Sequence, residues 1–128
     1  MHKSRLDGFI IDCQTQDLEA AAQFWSAALG LALKPAPVQP EDAAYRSFET
    51  GPAGLNIEVQ QVKHPSGVHL DIETDDVEAE VARLVKLGAK RVGMVRNWCV
   101  MQAPTGQRFC VVRQHRRADF AAQANTWD

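Results

Sequence analysis

Apolar positions along the chain change period from two to three-and-a-half and back, and they do so twice. Residues 6–13 hold Leu6, Phe9, Ile10 and Ile11 close together, an aromatic and β-branched run that predicts a buried strand. Thr15 or Asp17 then offers a helix N-cap, and Glu19 adds negative charge to the first turn. Leu18, Ala21, Ala22, Trp25, Ala28 and Leu29 recur at steps of three and four, which predicts one buried helical face, and Gly30 stops the helix. Prolines make 34–40 a loop. Residues 45–49 and 55–62 read as strands joined by a turn at 50–54.

The order then restarts. Residues 68–74 read as a strand, Asp75 or Asp76 caps a helix carrying Val77, Val81, Leu84, Val85 and Leu87, and Gly88 ends it. Strands follow at 91–95, 98–102 and 109–113, with a turn at 103–106. A shift of 59 positions superposes Asp12 on Asp71, Thr15 on Thr74, Asp17 on Asp76, Glu19 on Glu78 and Ala20 on Ala79. A shift of 52 superposes Pro52 on Pro104 and Gly54 on Gly106. Any strand–cap–helix unit looks somewhat alike, but this many identities in the same order favour an internal duplication. The expected fold is α+β, two tandem βαβββ modules at about 6–63 and 66–113 within a domain of 1–114, followed by a tail of 115–128. The tail has weak helical character at 118–122, and Phe120 and Trp127 are its apolar anchors.

Composition narrows the function classes. At 128 residues, 45% hydrophobic and 23% charged, the chain suits one globular domain. The net charge of −2, with a single basic cluster at 115–117, argues against a nucleic-acid groove. No apolar run approaches the ~20 residues of a membrane span, and the charged start does not read as a secretory signal. Three cysteines without CxxC spacing point to free thiols and a cytoplasmic location.

IDCQTQDLEAAAQFWSAALGL, HLDIETDDVEAEVARLVKLGAK and WCVMQAPTGQRFCVV resemble the two module signatures and the closing hairpin of the glyoxalase/bleomycin-resistance, or vicinal oxygen chelate, superfamily. The resemblance spans roughly residues 6 to 113. It implies curved mixed sheets around a cavity between the modules, a small-molecule ligand and a homodimer. It also implies a lactoylglutathione-lyase-like lyase or isomerase, or alternatively a metal-free binder that sequesters its ligand as bleomycin-resistance proteins do.

In metal-binding members of that superfamily, ligands come from the first and last strands of each module. The internal repeat puts those positions at Ile10, His69, Glu58 and Cys110. His69 and Glu58 are good ligands, Cys110 is a donor only as a thiolate, and Ile10 offers no donor at all. Asp12, roughly 7 Å along the same strand face, is a conceivable substitute. The expectation is therefore no cofactor, the alternative being a divalent metal (zinc, nickel, manganese or iron) held by His69, Glu58 and Cys110.

As catalytic groups, Glu58 would act as base and His69 as ligand or acid, while Ile10, Trp98 and Cys110 would line the substrate site. Plainer roles stand beside these. His69 could simply hydrogen-bond Glu58, Glu58 could face solvent, and Cys110 could be a small core residue. Trp25, Cys13 and Cys99 read as core, and Gln107 and Arg108 as surface. The tail could pack over the domain, over a partner subunit or across the cavity mouth.

Overall fold

The computed structural model describes residues 1–51, 54–115 and 118–128. The fold is α+β. Its elements run β1 (His2–Gln14), α1 (Leu18–Leu29), β2 (Tyr45–Ser47), β3 (Asn56–Val62), β4 (Gly67–Thr74), α2 (Val77–Lys86), β5 (Lys90–Val95), β6 (Trp98–Gln102), β7 (Arg108–Arg113), α3 (Phe120–Gln123) and β8 (Asn125–Trp127). Pro52 and Ala53 of the expected turn at 50–54, and Arg116 and Arg117 of the basic cluster, lie outside the described residues. The chain forms two compact units, Gly8–Val68 on one hand and Met1–Asp7 with His69–Asp128 on the other, so β1 contributes its first residues to one unit and its remainder to the other.

In the unit Gly8–Val68, β3 lies between β1 and β2, parallel to β1 and antiparallel to β2. Ile11, Cys13, Ala22, Phe48 and Val59 form its core, with Leu18, Ala21, Trp25 and Ile57 packed against them. Trp25 thus has the core role its position in the helix predicts. Ala28 and Leu29 of the expected helical face are exposed, and Leu31 and Leu33 beyond the helix end pack on the core instead. An isolated bridge, Leu33–Phe48, supplements β2 and β3 after α1.

The other unit carries β4, β7, β6 and β5 in that spatial order, with β1 beside β4 and β8 antiparallel to β1. Helix α2 packs on β5, β6 and β7. Val81, Leu84, Ala89, Cys99, Met101 and Val111 make its core, joined by Ile72, Val77 and Phe109. Val85, inside the helix, and Leu87, one residue beyond its end at Lys86, are exposed instead of joining the apolar face expected of them, which is carried by Val77, Val81 and Leu84. The tail belongs to this unit: Phe120 is buried, and β8, which the apolar pattern does not announce, pairs with His2–Ser4.

The duplication recurs atom for atom at the helix starts. Asp17 accepts from the Ala20 N–H at 3.0 Å and Asp76 from the Ala79 N–H at 3.0 Å. Thr15 Oγ1 accepts from the Asp17 N–H at 3.0 Å, and Thr74 Oγ1 from the Asp76 N–H at 3.1 Å. Asp17 and Asp76, not Thr15 and Asp75, are therefore the caps. In each case the threonine two residues earlier holds the cap in place.

Candidate functional site

Alternate residues of a strand share a face. On β4 this sends Ile72 into the core and puts His69, Asp71 and Glu73 together on the opposite face. Asp71 is 8% exposed, and its Oδ1 is buried without a hydrogen bond. That oxygen lies 3.4 Å from His69 Nε2, close enough for an ion pair but not aligned as a hydrogen bond. Strand β7 runs parallel to β4 with Cys110 directly opposite Asp71. Donor atoms of His69, Asp71 and Cys110 consequently lie within 4.8 Å of one another. An imidazole, a carboxylate and a half-buried thiol meet on one face of one sheet.

Of the residues expected from the sequence, His69 and Cys110 come together, and Asp71 joins them as the group that sequence reasoning missed. Ile10 and Glu58 are partners in register across β1 and β3, and both belong to the unit Gly8–Val68. Ile10 is 3% exposed, and Glu58 Oε1 accepts a hydrogen bond from Asn56 Nδ2 at 2.7 Å. The repeat by residue identity makes His69 the counterpart of Ile10. Strand register makes that counterpart Asp71, because Cys110 faces Asp71 where Glu58 faces Ile10. Trp98 begins β6, half-buried, with the Arg96 guanidinium 5.7 Å from its ring centroid. Gln107 and Arg108 are exposed.

A second polar group lies in the same unit. Asp7, Glu73 and His115 bring donor atoms within 4.8 Å, and both carboxylates are fully buried. Arg5 Nε donates to Glu73 Oε1 at 2.7 Å, and the guanidinium pairs with Asp119 at 3.2 Å. The His115 N–H donates to Glu73 Oε2 at 3.4 Å, and His115 Nε2 lies 3.2 Å from Asp7 Oδ2. Burial alone would lower the Arg5 pKa, but hydrogen bonds and charge from Asp119 and Glu73 outweigh it and hold the guanidinium above its ordinary value. Buried carboxylates need such partners, and here they fasten the segment after β7 to β1 and β4.

The three cysteines are free thiols. Burial pushes the Cys13 and Cys99 thiols up, with Asp12 adding to the effect at Cys13. Both are packing residues, as their positions in the sequence suggest.

Residues 8–112 match the family described as "Glyoxalase-like domain". The chain belongs to that family. Solved structures with the glyoxalase-like fold include a hypothetical protein, BH1468, from Bacillus halodurans C-125, at 16% identity and a TM-score of 0.63 over 90% of this chain and 97% of that one. Methylmalonyl-CoA epimerase from Mycobacterium tuberculosis is similar at 18% identity and a TM-score of 0.56, over 91% of each chain. A glyoxalase/bleomycin resistance protein/dioxygenase superfamily member from Vibrio splendidus 12B01 is similar at 15% identity and a TM-score of 0.54, over 87% of this chain and 99% of that one. No curated protein matches the sequence. Among the described residues no helix is long and apolar enough to cross a membrane.

The glyoxalase-like family implies a divalent metal on four strand positions. Those positions do not supply the full set of donors here, because the buried Ile10 offers no donor atom. The nitrogen, oxygen and sulfur donors that do meet are those of His69, Asp71 and Cys110.

Proposed function

We propose that this glyoxalase-like protein binds a small oxygenated organic molecule against the His69–Asp71–Cys110 face and moves a proton on it, as an isomerase or lyase. The observation that carries this reading is the buried, hydrogen-bond-free Oδ1 of Asp71 beside His69 Nε2. A buried acceptor left unmet is costly unless a ligand group donates to it. Two titratable groups in contact on a sheet face are the minimum needed to take a proton from one atom and return it at another. An epimerase among the similar solved structures supports isomerase chemistry on this fold. The proton-transfer pair is then His69 with Asp71.

The test is deuterium incorporation from D2O into a panel of 2-oxo aldehydes, 2-hydroxy ketones and acyl thioesters, followed by NMR. The expected result is exchange next to the carbonyl of at least one class, slowed about 10²–10⁴-fold in Asp71→Asn. Exchange at the buffer rate across the whole panel would overturn the enzymatic reading. The buried apolar Ile10, which leaves the family metal set without a donor, favours a second reading in which the ligand is bound without turnover. Saturable calorimetric binding of a panel member without exchange would support it.

A further inference from the structure

We infer that the molecule bound on the His69–Asp71 face is an organic acid and that Arg108 takes its carboxylate, which rests on the proton-transfer reading above and names the class of substrate for it.

Strand register places the guanidinium. Strand β7 runs parallel to β4, with Leu70 beside Phe109 and Asp71 beside Cys110. One step back along both strands sets Arg108 level with His69, and two-residue alternation puts it on the face of Cys110. On the far side of β7, Gln102 of β6 lies opposite Arg108, adding an amide at that level. Arg108, Cys110 and Val112 therefore mark three levels along one face, each roughly 7 Å from the next. His69 stands at the first level and Asp71 at the second. Half-buried Trp98 stands at the third, one register step beyond the Cys99–Val111 pair.

The state of the arginines is the second observation. Arg5 pairs with Glu73 and Asp119, Arg46 with Glu19, Arg83 with Glu80 and Arg91 with Glu78. Among the described residues Arg108 has no carboxylate partner, and it is exposed on the face that holds Asp71. Arg113, at the other end of β7, alternates onto the opposite face, that of the core residue Val111.

Ligand chemistry follows from the three levels. A guanidinium binds a carboxylate through two parallel N–H···O bonds, and its single charge matches a monoanion. A phosphate dianion would bring a second negative charge beside the acidic Asp71 with nothing there to offset it. With the carboxylate at the level of Arg108, a carbon two bonds further on comes to the level of Asp71. A chain beyond that carbon runs onto Val112 and Trp98. A 2-oxo acid with an apolar side chain fits this order, since its ketone acidifies the C–H that reaches Asp71. Asp71 takes the C3 proton, the C–H electron pair becomes the C2=C3 bond of the enolate, and return of a proton restores the ketone. Deuterium therefore enters from D2O with no other reactant.

The test compares 2-oxo-4-phenylbutanoate with its methyl ester and with the acylphosphonate of the same chain, by calorimetric titration and by deuterium exchange. Circular dichroism verifies folding of each variant. The acid is expected to bind saturably and more tightly than the ester or the phosphonate. Arg108→Gln raises the Kd of the acid about 10–100-fold, the usual cost of a lost charged hydrogen bond, and leaves the ester unchanged. Arg113→Gln, the same change of charge on the other face, binds the acid as the parent does. No saturable binding of the acid, equal binding of acid and ester, tighter binding of the phosphonate, or equal losses in Arg108→Gln and Arg113→Gln would each overturn the inference. The two readings fail separately. Acid bound through Arg108 without exchange removes proton transfer and leaves the carboxylate site. Exchange abolished by Asp71→Asn but untouched in Arg108→Gln does the reverse.

Discussion

A Cβ built on Gly8 would lie 1.8 Å from the carbonyl oxygen of Asn56, on the neighbouring parallel strand. Backbone cannot yield as a side-chain tip can, so any larger residue must push β1 and β3 apart where they pair. Gly8→Ala should destabilise the fold by about 1–3 kcal/mol or more, the usual cost of overpacking, measured by urea denaturation. Ala substitution at Gly67, whose Cβ would meet nothing within 4 Å, is the matched control, with little change expected. Neither outcome is written in the residue types: both glycines stand at or inside a strand, and only the approach of Asn56 separates them. Asp71 was hidden for a related reason. HLDIET shows that His69 and Asp71 share a strand face, but identity with the first half marked Asp71 only as the partner of Asp12. Its meeting with Cys110 depends on a register that residue identities do not encode.

At the level of elements, helices were the most legible part. Their caps, apolar faces and glycine stops are local, and Asp17 and Asp76 behave alike down to the threonine that precedes each. Asp76→Ala should therefore cost about 1 kcal/mol, read as a lowered thermal midpoint, with Asp76→Ser recovering most of it. The first strand was legible only in part. Apolar alternation marks 6–13, yet β1 begins at His2, because its first residues are held by polar bonds. His2 Nε2 meets Glu80 Oε1 at 2.8 Å, Trp127 Nε1 donates to Ser4 Oγ at 2.8 Å, and Arg5 is tied to Glu73. Such a strand carries no hydrophobic signature, and its partner β8 carries none either.

On the scale of the whole molecule, the bonds of His2 and Ser4 meet in a buried polar layer under α2, on the sheet face opposite Arg5 and Glu73. Glu80 is fully buried, bracketed by Arg83 at 2.8 Å through both carboxylate oxygens and by His2. Burial alone would raise its pKa. Hydrogen bonds from Arg83, His2 and Ser4, with the charge of Arg83, outweigh that and hold it below the ordinary carboxylate value. A lowered folded-state value means stability that is fully present above the unfolded carboxylate pKa, about 4.3, and is lost as pH falls through the folded one. Glu80→Gln should remove part of this acid dependence and, at neutral pH, roughly 1.5–3 kcal/mol of charge-assisted bonding. Unfolding curves at pH 7 and in the acid range check both; an unchanged acid slope would count against the assignment. None of this layer was legible in advance, since charged residues on a helix and at a chain start read as solvated surface until the tail is placed over them.

The pairing of β1 with β8 has a consequence for how the molecule comes into being. Ser4 and Trp127 are 123 positions apart, yet they are bonded neighbours. On the ribosome, the first strand emerges long before the segment that covers it. Its unpaired edge waits through the synthesis of nearly every other element. The unit holding the candidate site is thus among the last things to close, and a chain halted short of Asn125 would present that edge to whatever chaperone or neighbouring nascent chain reaches it first.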